Sequence, residues 1–160
     1  MQNTKSSILG ISLGTRIVGV AVLCENELVE WKVLTFKNTW SLKKRSEILY
    51  SISHILKTYG VDRISTKKIS PTRASLHFLD IERYFIRLCK SKNISIKQFS
   101  IEQIRSFQEY ATHKLEDELI FEQSRQQQIN TPYYAKVFEA VALAQMGDEE
   151  DNMFRAKKSH

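Results

Sequence analysis

The sequence predicts a mixed α/β domain in which a five-stranded sheet is flanked by helices. Residues 8–23, ILGISLGTRIVGVAVL, form two apolar runs joined by a tight turn that contains glycine, which is typical of two adjacent buried strands. Later segments repeat apolar residues at helical spacing. Between these helical segments lie short stretches that are apolar or alternate between apolar and polar residues and read as strands, as expected when helices connect parallel strands. We therefore expect a three-strand antiparallel meander followed by parallel strands.

The meander is built from the first 36 residues. The turn at residues 13–16 contains Gly14, which supplies positive φ or allows close approach of the backbone. Ser12 is the one polar side chain of the first run, which is otherwise apolar on both faces like a strand that is covered on both sides. Residues 28–36, LVEWKVLTF, follow a link of hairpin length, so they are predicted to be a third strand antiparallel to the second.

Helices and strands are predicted to alternate after the meander. Ser41 is the predicted cap of a first helix that ends at Gly60. Residues 61–69 are the predicted fourth strand, and the first helix provides the crossover that parallel pairing needs. A second helix at residues 73–90, a fifth strand at 94–99 and a short helix capped by Ser100 complete this part.

Residues 115–147 are predicted to be largely helical. Residues 115–128 favour a polar helix, and Thr131 followed by Pro132 predicts the start of a final helix that ends at Gly147. Residues 148–160 are charged and are predicted to be a disordered tail. The chain of 160 residues is thus predicted to be a single domain at residues 1–147 with a short tail.

Composition argues against membrane and disulfide-rich classes of protein. No apolar run approaches the roughly 20 residues of a membrane span, and the N-terminal residues lack the pattern of a signal peptide. Cys24 and Cys89 lie in apolar segments without CxxC or His/Cys spacing, so we expect two reduced core thiols. These observations predict a cytoplasmic protein without a membrane partner.

The basic charge lies in the first half of the chain. Residues 1–80 contain 12 Lys and Arg against 6 Asp and Glu, whereas residues 81–160 contain 12 of each. Aromatic residues are interleaved with the basic ones, which suits phosphate neutralisation with base stacking, although basic residues are also common on solvated helix faces. Six residues are the predicted nucleic-acid contacts: Lys43, Lys44, Arg45, Lys67, Lys68 and Arg73.

The letters ILGISLGT and GVAV resemble the opening of the ribonuclease H-like superfamily, and within it the RuvC-type Holliday-junction resolvases and, next, their YqgF-type relatives. That resemblance implies a ribonuclease H-like fold from about residue 6 to residue 146, binding to nucleic acid, and a homodimer. The same letters are similar to the phosphate-binding turn of actin-like ATPases and sugar kinases. Their nucleotide cleft lies between two such domains, however, and this chain has length for one.

The resemblance also implies where a catalytic site would lie. In the family, carboxylates at the ends of central strands and on the last helix hold Mg²⁺ ions for phosphodiester cleavage. The corresponding positions here are Ser12, Lys67 or Lys68, Lys136 and Glu139, so that a single carboxylate is kept. The substitutions predict a degenerate site with no bound metal and no cofactor.

Three hypotheses follow. The first is a catalytically degenerate RuvC-like domain that binds branched or single-stranded nucleic acid through its basic segment. The second is a Mg²⁺-dependent endonuclease with an atypical carboxylate set, in which Glu139 is the surviving ligand and Glu102, Glu116 or Glu118 come from helices. The third is a protein-interaction scaffold that keeps the fold without nucleic acid.

Overall fold

The computed structural model describes the backbone of residues 6–114 and 132–158, and the side chains of residues 6–108 and 135–150. The helix predicted for residues 115–128 and the predicted cap Thr131 lie outside these ranges. The order of the elements is the predicted one. They are β1 (Ser7–Ser12), β2 (Ile17–Cys24), β3 (Glu27–Thr35), α1 (Leu42–Thr58), β4 (Arg63–Lys67), α2 (Leu76–Ser91), β5 (Ser95–Phe99), α3 (Ile101–Lys114) and α4 (Pro132–Lys158).

The five strands form one mixed sheet in the order β3-β2-β1-β4-β5. β1 pairs with β2 and β2 with β3 in antiparallel fashion, whereas β4 is parallel to both β1 and β5. The meander and the crossover through α1 are therefore confirmed. β1 is the central strand, and all six of its residues are buried, because helices cover both faces of the sheet there.

Four strands run in the same direction, so their carboxyl ends lie along one edge of the sheet. We call this edge, defined by the last residues of β1, β3, β4 and β5 (Ser12, Thr35, Lys67 and Phe99), the strand-end edge. Each of α1, α2 and α3 follows one of these strands in the chain. Their N-termini, which carry partial positive charge, therefore lie at the same edge.

The predicted cap residues Ser41 and Ser100 bind the first turns of α1 and α3. Ser41 Oγ accepts a hydrogen bond of 3.0 Å from the Lys44 amide at the start of α1. Ser100 Oγ accepts one of 3.2 Å from the Gln103 amide, and the Gln103 side chain accepts one of 2.8 Å from the Ser100 amide. Such reciprocal bonds satisfy amides that have no partner inside the helix.

Helices cover the sheet on both faces. On one face α1 and α2 bury a large hydrophobic cluster that includes Ile48, Ile52, Ile81 and Phe85. On the other face α4 lies across β1 and β2, and α3 packs beside α4. None of the described helices combines the length and the apolar composition that crossing a bilayer requires.

The predicted end of the last helix at Gly147 is wrong, because α4 continues to Lys158. Gly147 lies against the sheet, where a Cβ atom would overlap Ser65 Oγ and come within 3.5 Å of Ile8. This glycine therefore permits close packing of helix on sheet instead of ending the helix. Residues 148–158, predicted to be a disordered tail, belong to the helix, whereas the domain boundary after residue 147 stays a prediction.

Candidate functional site

Two of the four predicted site residues, Ser12 and Lys67, form polar contacts with a third, Glu139, at the strand-end edge. Ser12 and Lys67 are the last residues of the neighbouring parallel strands β1 and β4, and Glu139 lies on α4 above them. Ser12 Oγ donates a hydrogen bond of 2.6 Å to Glu139 Oε1. Lys67 Nζ lies 3.0 Å from Oε1 and 3.2 Å from Oε2 of the same carboxylate. One carboxylate thus accepts bonds from both strands.

Lys136, the fourth residue, lies one helical turn before Glu139. Its Nζ donates a hydrogen bond of 3.2 Å to the carbonyl oxygen of Leu13. Burial lowers the pKa of Lys136, the charge of Lys67 lowers it further, and the Glu139 carboxylate opposes both effects. The close approach of this turn to the sheet depends on Gly19, whose Cβ atom, if it had one, would overlap the Lys136 backbone.

The charges of these residues do not fit a magnesium ion. Hard divalent cations bind anionic oxygens, and Glu139 is the one carboxylate of the four. Both of its oxygens are already bonded to Lys67, and Oε1 also to Ser12. Across the described ranges, no group of three His, Cys, Asp or Glu side chains could hold a metal ion. The arrangement is that of an ion pair joining helix and sheet.

The structure distinguishes Lys67 from Lys68. The Lys67 side chain, 21% exposed, reaches Glu139, whereas Lys68 is exposed and its backbone amide donates to the carbonyl of Phe99. Of the two alternatives for the strand position, Lys67 is therefore the one that contacts the last helix.

The six predicted nucleic-acid contacts differ in how accessible they are. Lys43, Lys68 and Arg73 are exposed and lie next to the strand-end edge. Lys44, by contrast, is 3% exposed, and its Nζ donates a hydrogen bond of 2.6 Å to the carbonyl of Asn38. The expectation that Lys44 presents its charge to a ligand is wrong, because its side chain is directed inward to hold the β3–α1 connection.

Arg45 is also committed to a contact within the protein. Its guanidinium lies 2.9 Å from the Asp80 carboxylate on α2, and this side chain is 17% exposed. It also stacks on the Tyr84 ring at 3.8 Å from the centroid. The first turn of α1 therefore offers Lys43, and not the whole run of residues 43–45, to a ligand.

Sequence reasoning missed Arg16. This exposed residue lies in the β1–β2 turn, at the strand-end edge. The pKa of Lys44 is lowered mainly by burial, and the positive charge of Arg16 lowers it further. The signal that could have found it is its place in the glycine turn that carries the fold motif. Trp40 and His77 were missed as a pair as well, and their rings stack at 5.2 Å between the starts of α1 and α2.

Neither a protein-family model nor a curated protein sequence matches this chain. Solved structures do match. Thermus thermophilus RuvC in complex with a Holliday-junction substrate has a TM-score of 0.64 at 10% identity, over 87% of this chain and 90% of that one. Another Thermus thermophilus RuvC structure has a TM-score of 0.61 at 10% identity, over 86% and 90%. The chain therefore has the predicted ribonuclease H-like α/β fold, in its RuvC-like form.

Proposed function

We propose that this chain is a nucleic-acid-binding domain of RuvC-like fold that does not use metal-dependent nuclease chemistry. The observation that supports the second part most directly is the contact of Lys67 with Glu139 at 3.0 Å. An ammonium group there satisfies the carboxylate and adds positive charge where a divalent cation would otherwise have to bind. The Lys136 ammonium beside it has the same effect on an incoming cation.

The strand-end edge supports the first part of the proposal. Arg16, Lys43, Lys68 and Arg73 are exposed there, and the N-termini of three helices point to the same edge. Positive side chains and helix N-termini both attract phosphate groups. Because the compared RuvC structure is a complex with a Holliday junction, branched DNA is the first ligand to test.

The test is a binding panel of a four-way junction, a fork, single-stranded DNA and RNA over a salt series. We expect affinity for at least one of them that falls steeply with salt, with a log-log slope of about −0.7 to −0.9 per phosphate contact. We also expect the same affinity in Mg²⁺ and in EDTA, and no cleavage in either. Light scattering of the same samples tests the homodimer that the resemblance implies.

A matched pair of variants tests the surface. Replacing Lys43, Lys68 and Arg73 with glutamine should weaken binding and flatten the salt slope. The control replaces Lys57, Lys90 and Lys92, which are also exposed but lie at the other ends of α1 and α2. It removes the same charge and should leave most of the affinity.

Two outcomes would overturn the proposal. Cleavage in Mg²⁺ that stops in EDTA would establish the endonuclease with an atypical carboxylate set. Failure to bind any of the four ligands at low salt would favour the protein-interaction scaffold.

A further inference from the structure

Three arginines surround one tyrosine on the outer surface of α1 and α2. The Tyr84 ring has the guanidinium carbon of Arg45 at 3.8 Å from its centroid, that of Arg87 at 5.3 Å and that of Arg83 at 5.5 Å. All three distances are within the range of a cation–π contact. These residues come from two helices, so packing of α1 on α2 assembles the group. We call these four residues the Tyr84 cluster.

The cluster has more positive charge than its carboxylate partner can neutralise. Asp80 Oδ2 lies 2.9 Å from Arg45, and Asp80 Oδ1 lies 3.0 Å from Arg83. The hydrogen bond from Arg45 is the largest cause of the lowered pKa of Asp80, and the one from Arg83 lowers this pKa further. The Asp80 carboxylate therefore stays ionised. Asp80 is shared by Arg45 and Arg83, and Arg87 forms no ion pair with Asp80 among the described contacts. Three cations against one anion leave a local excess of two positive charges.

The excess charge is accessible to a ligand. The Arg83 side chain is 61% exposed and Arg87 is exposed, whereas Arg45 is largely covered. A guanidinium over an aromatic face has its N–H donors at its rim, so contact with Tyr84 orients these groups without using their donors. Guanidinium donors match the oxygens of a phosphate in geometry as well as charge.

The Tyr84 cluster lies on two helices, α1 and α2, that both begin at the strand-end edge. α2 begins at that edge with Leu76, and Arg87 lies 11 residues further along the helix. At 1.5 Å per residue this places Arg87 about 16.5 Å from Leu76 along the helix axis. A nucleic acid that contacts Arg73 at the edge could reach Arg87 with a few further phosphates, since phosphates of one strand of duplex DNA follow each other every 3.4 Å along the axis.

We propose that the Tyr84 cluster is a second phosphate-binding surface, which contacts the phosphodiester backbone of the same nucleic acid molecule that binds at the strand-end edge. Arg83 and Arg87 donate to phosphate oxygens, while Arg45, Asp80 and Tyr84 position them. This inference rests on the proposed function, because it names a further part of the surface that would bind the ligand.

The experiment compares two double variants of the full chain that lose the same charge from α2 and its C-cap. Arg83→Gln with Arg87→Gln removes the two exposed donors of the cluster. Lys90→Gln with Lys92→Gln is the control, beyond the cluster at the carboxyl end of α2. Affinity for a four-way junction is measured over a salt series, with the melting temperature of each variant.

We expect the arginine variant to lose two phosphate contacts. Its log-log salt slope should be smaller than that of the parent by about 1.8, and its affinity at 0.15 M salt should be roughly 10- to 30-fold weaker. Combining it with the glutamine variant of Lys43, Lys68 and Arg73 should flatten the slope by the sum of the two effects, because one ligand touches both surfaces. The double variant Arg83→Lys with Arg87→Lys should keep most of the parent's salt slope, since lysine keeps the charge.

The two proposals fail in different ways. If the parent binds and the arginine variant behaves like the lysine control, the second surface is overturned while the proposed function stands, and an acidic protein becomes the partner to seek. If the parent binds no nucleic acid at low salt, both proposals are overturned.

Discussion

Lys67 Nζ and the Glu139 carboxylate form an ion pair of 3.0 Å between the end of the fourth strand and the last helix. Both side chains are about one-fifth exposed, so the pair is partly shielded from water. Ser12 Oγ bonds to the same carboxylate at 2.6 Å. Two neighbouring strands are thereby joined to one helix through a single glutamate, and this arrangement leads to the first two predictions.

Divalent metal ions should not stabilise the protein. A ligand raises the free energy of unfolding only if it binds the native state, and Glu139 is occupied by Lys67 and Ser12. We expect Mg²⁺ or Mn²⁺ at millimolar concentration to leave the melting temperature essentially unchanged. A saturable rise with Mn²⁺ that disappears in the Glu139→Gln variant would contradict this prediction and support the endonuclease.

Glu139→Gln should destabilise the fold. Glutamine keeps the size of the side chain but leaves the Lys67 ammonium without its carboxylate. We expect the free energy of unfolding to fall by about 2 kcal/mol, between the roughly 3–5 kcal/mol of a fully buried pair and the 0–1 kcal/mol of an exposed one. Urea denaturation of the variant and the parent measures this difference in the free energy of unfolding.

The control for that variant is Glu150→Gln. Glu150 lies 3.1 Å from Lys97 on the same helix–sheet face, but both side chains are nearly half exposed. Loss of the Glu150–Lys97 ion pair should lower the free energy of unfolding by less than about 1 kcal/mol. Equal effects of the two variants would show that the Lys67–Glu139 pair has no special role in holding the helix.

Alanine should destabilise the fold at Lys44 but not at Lys43. Lys44→Ala removes a buried aliphatic stem and leaves the Asn38 carbonyl without its donor, while loss of a desolvated charge offsets part of the cost. We expect a net loss of about 2 kcal/mol in urea denaturation. Lys43→Ala, at an exposed position, should change stability by less than about 0.5 kcal/mol and weaken nucleic-acid binding. The reverse order would mean that Lys44 is not buried.

Gly10 should not tolerate alanine. A Cβ atom there would overlap the carbonyl oxygen of Ala140 and lie 2.5 Å from the amide nitrogen of Ala144, so α4 would have to move off the sheet. We expect a cost of about 3 kcal/mol or more. At Gly60 a Cβ atom would meet nothing within 4 Å, and its φ of +57° makes alanine cost about 1 kcal/mol. Thermal unfolding of the two variants compares these costs, and similar melting temperatures would contradict the close packing of α4.

The sequence predicts the strands and their pairing well because each depends on local signals. The turn containing Gly14 makes a hairpin of β1 and β2, and Ser41 and Ser100 cap helices as predicted. Gly147 was misread because a glycine signals both a helix end and a close contact. Only the position of the sheet beneath α4 distinguishes the two.

The candidate site was predicted in part. The resemblance predicted Ser12, Lys67 or Lys68, Lys136 and Glu139 as the site positions, and the fold brings Ser12, Lys67 and Glu139 into contact. Burial of Lys44 could not be predicted, because neighbouring basic letters give no sign of which side chain turns inward. The Tyr84 cluster was missed for another reason, since Arg45 and Tyr84 are far apart in sequence and meet only when α1 packs on α2.

Three glycines at the contact between α4 and the sheet, Gly10 on β1, Gly19 on β2 and Gly147 on α4 itself, also determine how the protein opens. α4 crosses β2 at Gly19, β1 at Gly10 and β4 beside Gly147, with its backbone close to the sheet at each crossing. β1 can therefore separate from β4 only after the whole helix has lifted away. The amide hydrogens of β1 should exchange with deuterium at the rate of global unfolding, whereas those of the edge strand β5 should exchange through smaller, local openings. The strand that ends in Ser12 thus belongs to the last part of the molecule to come apart.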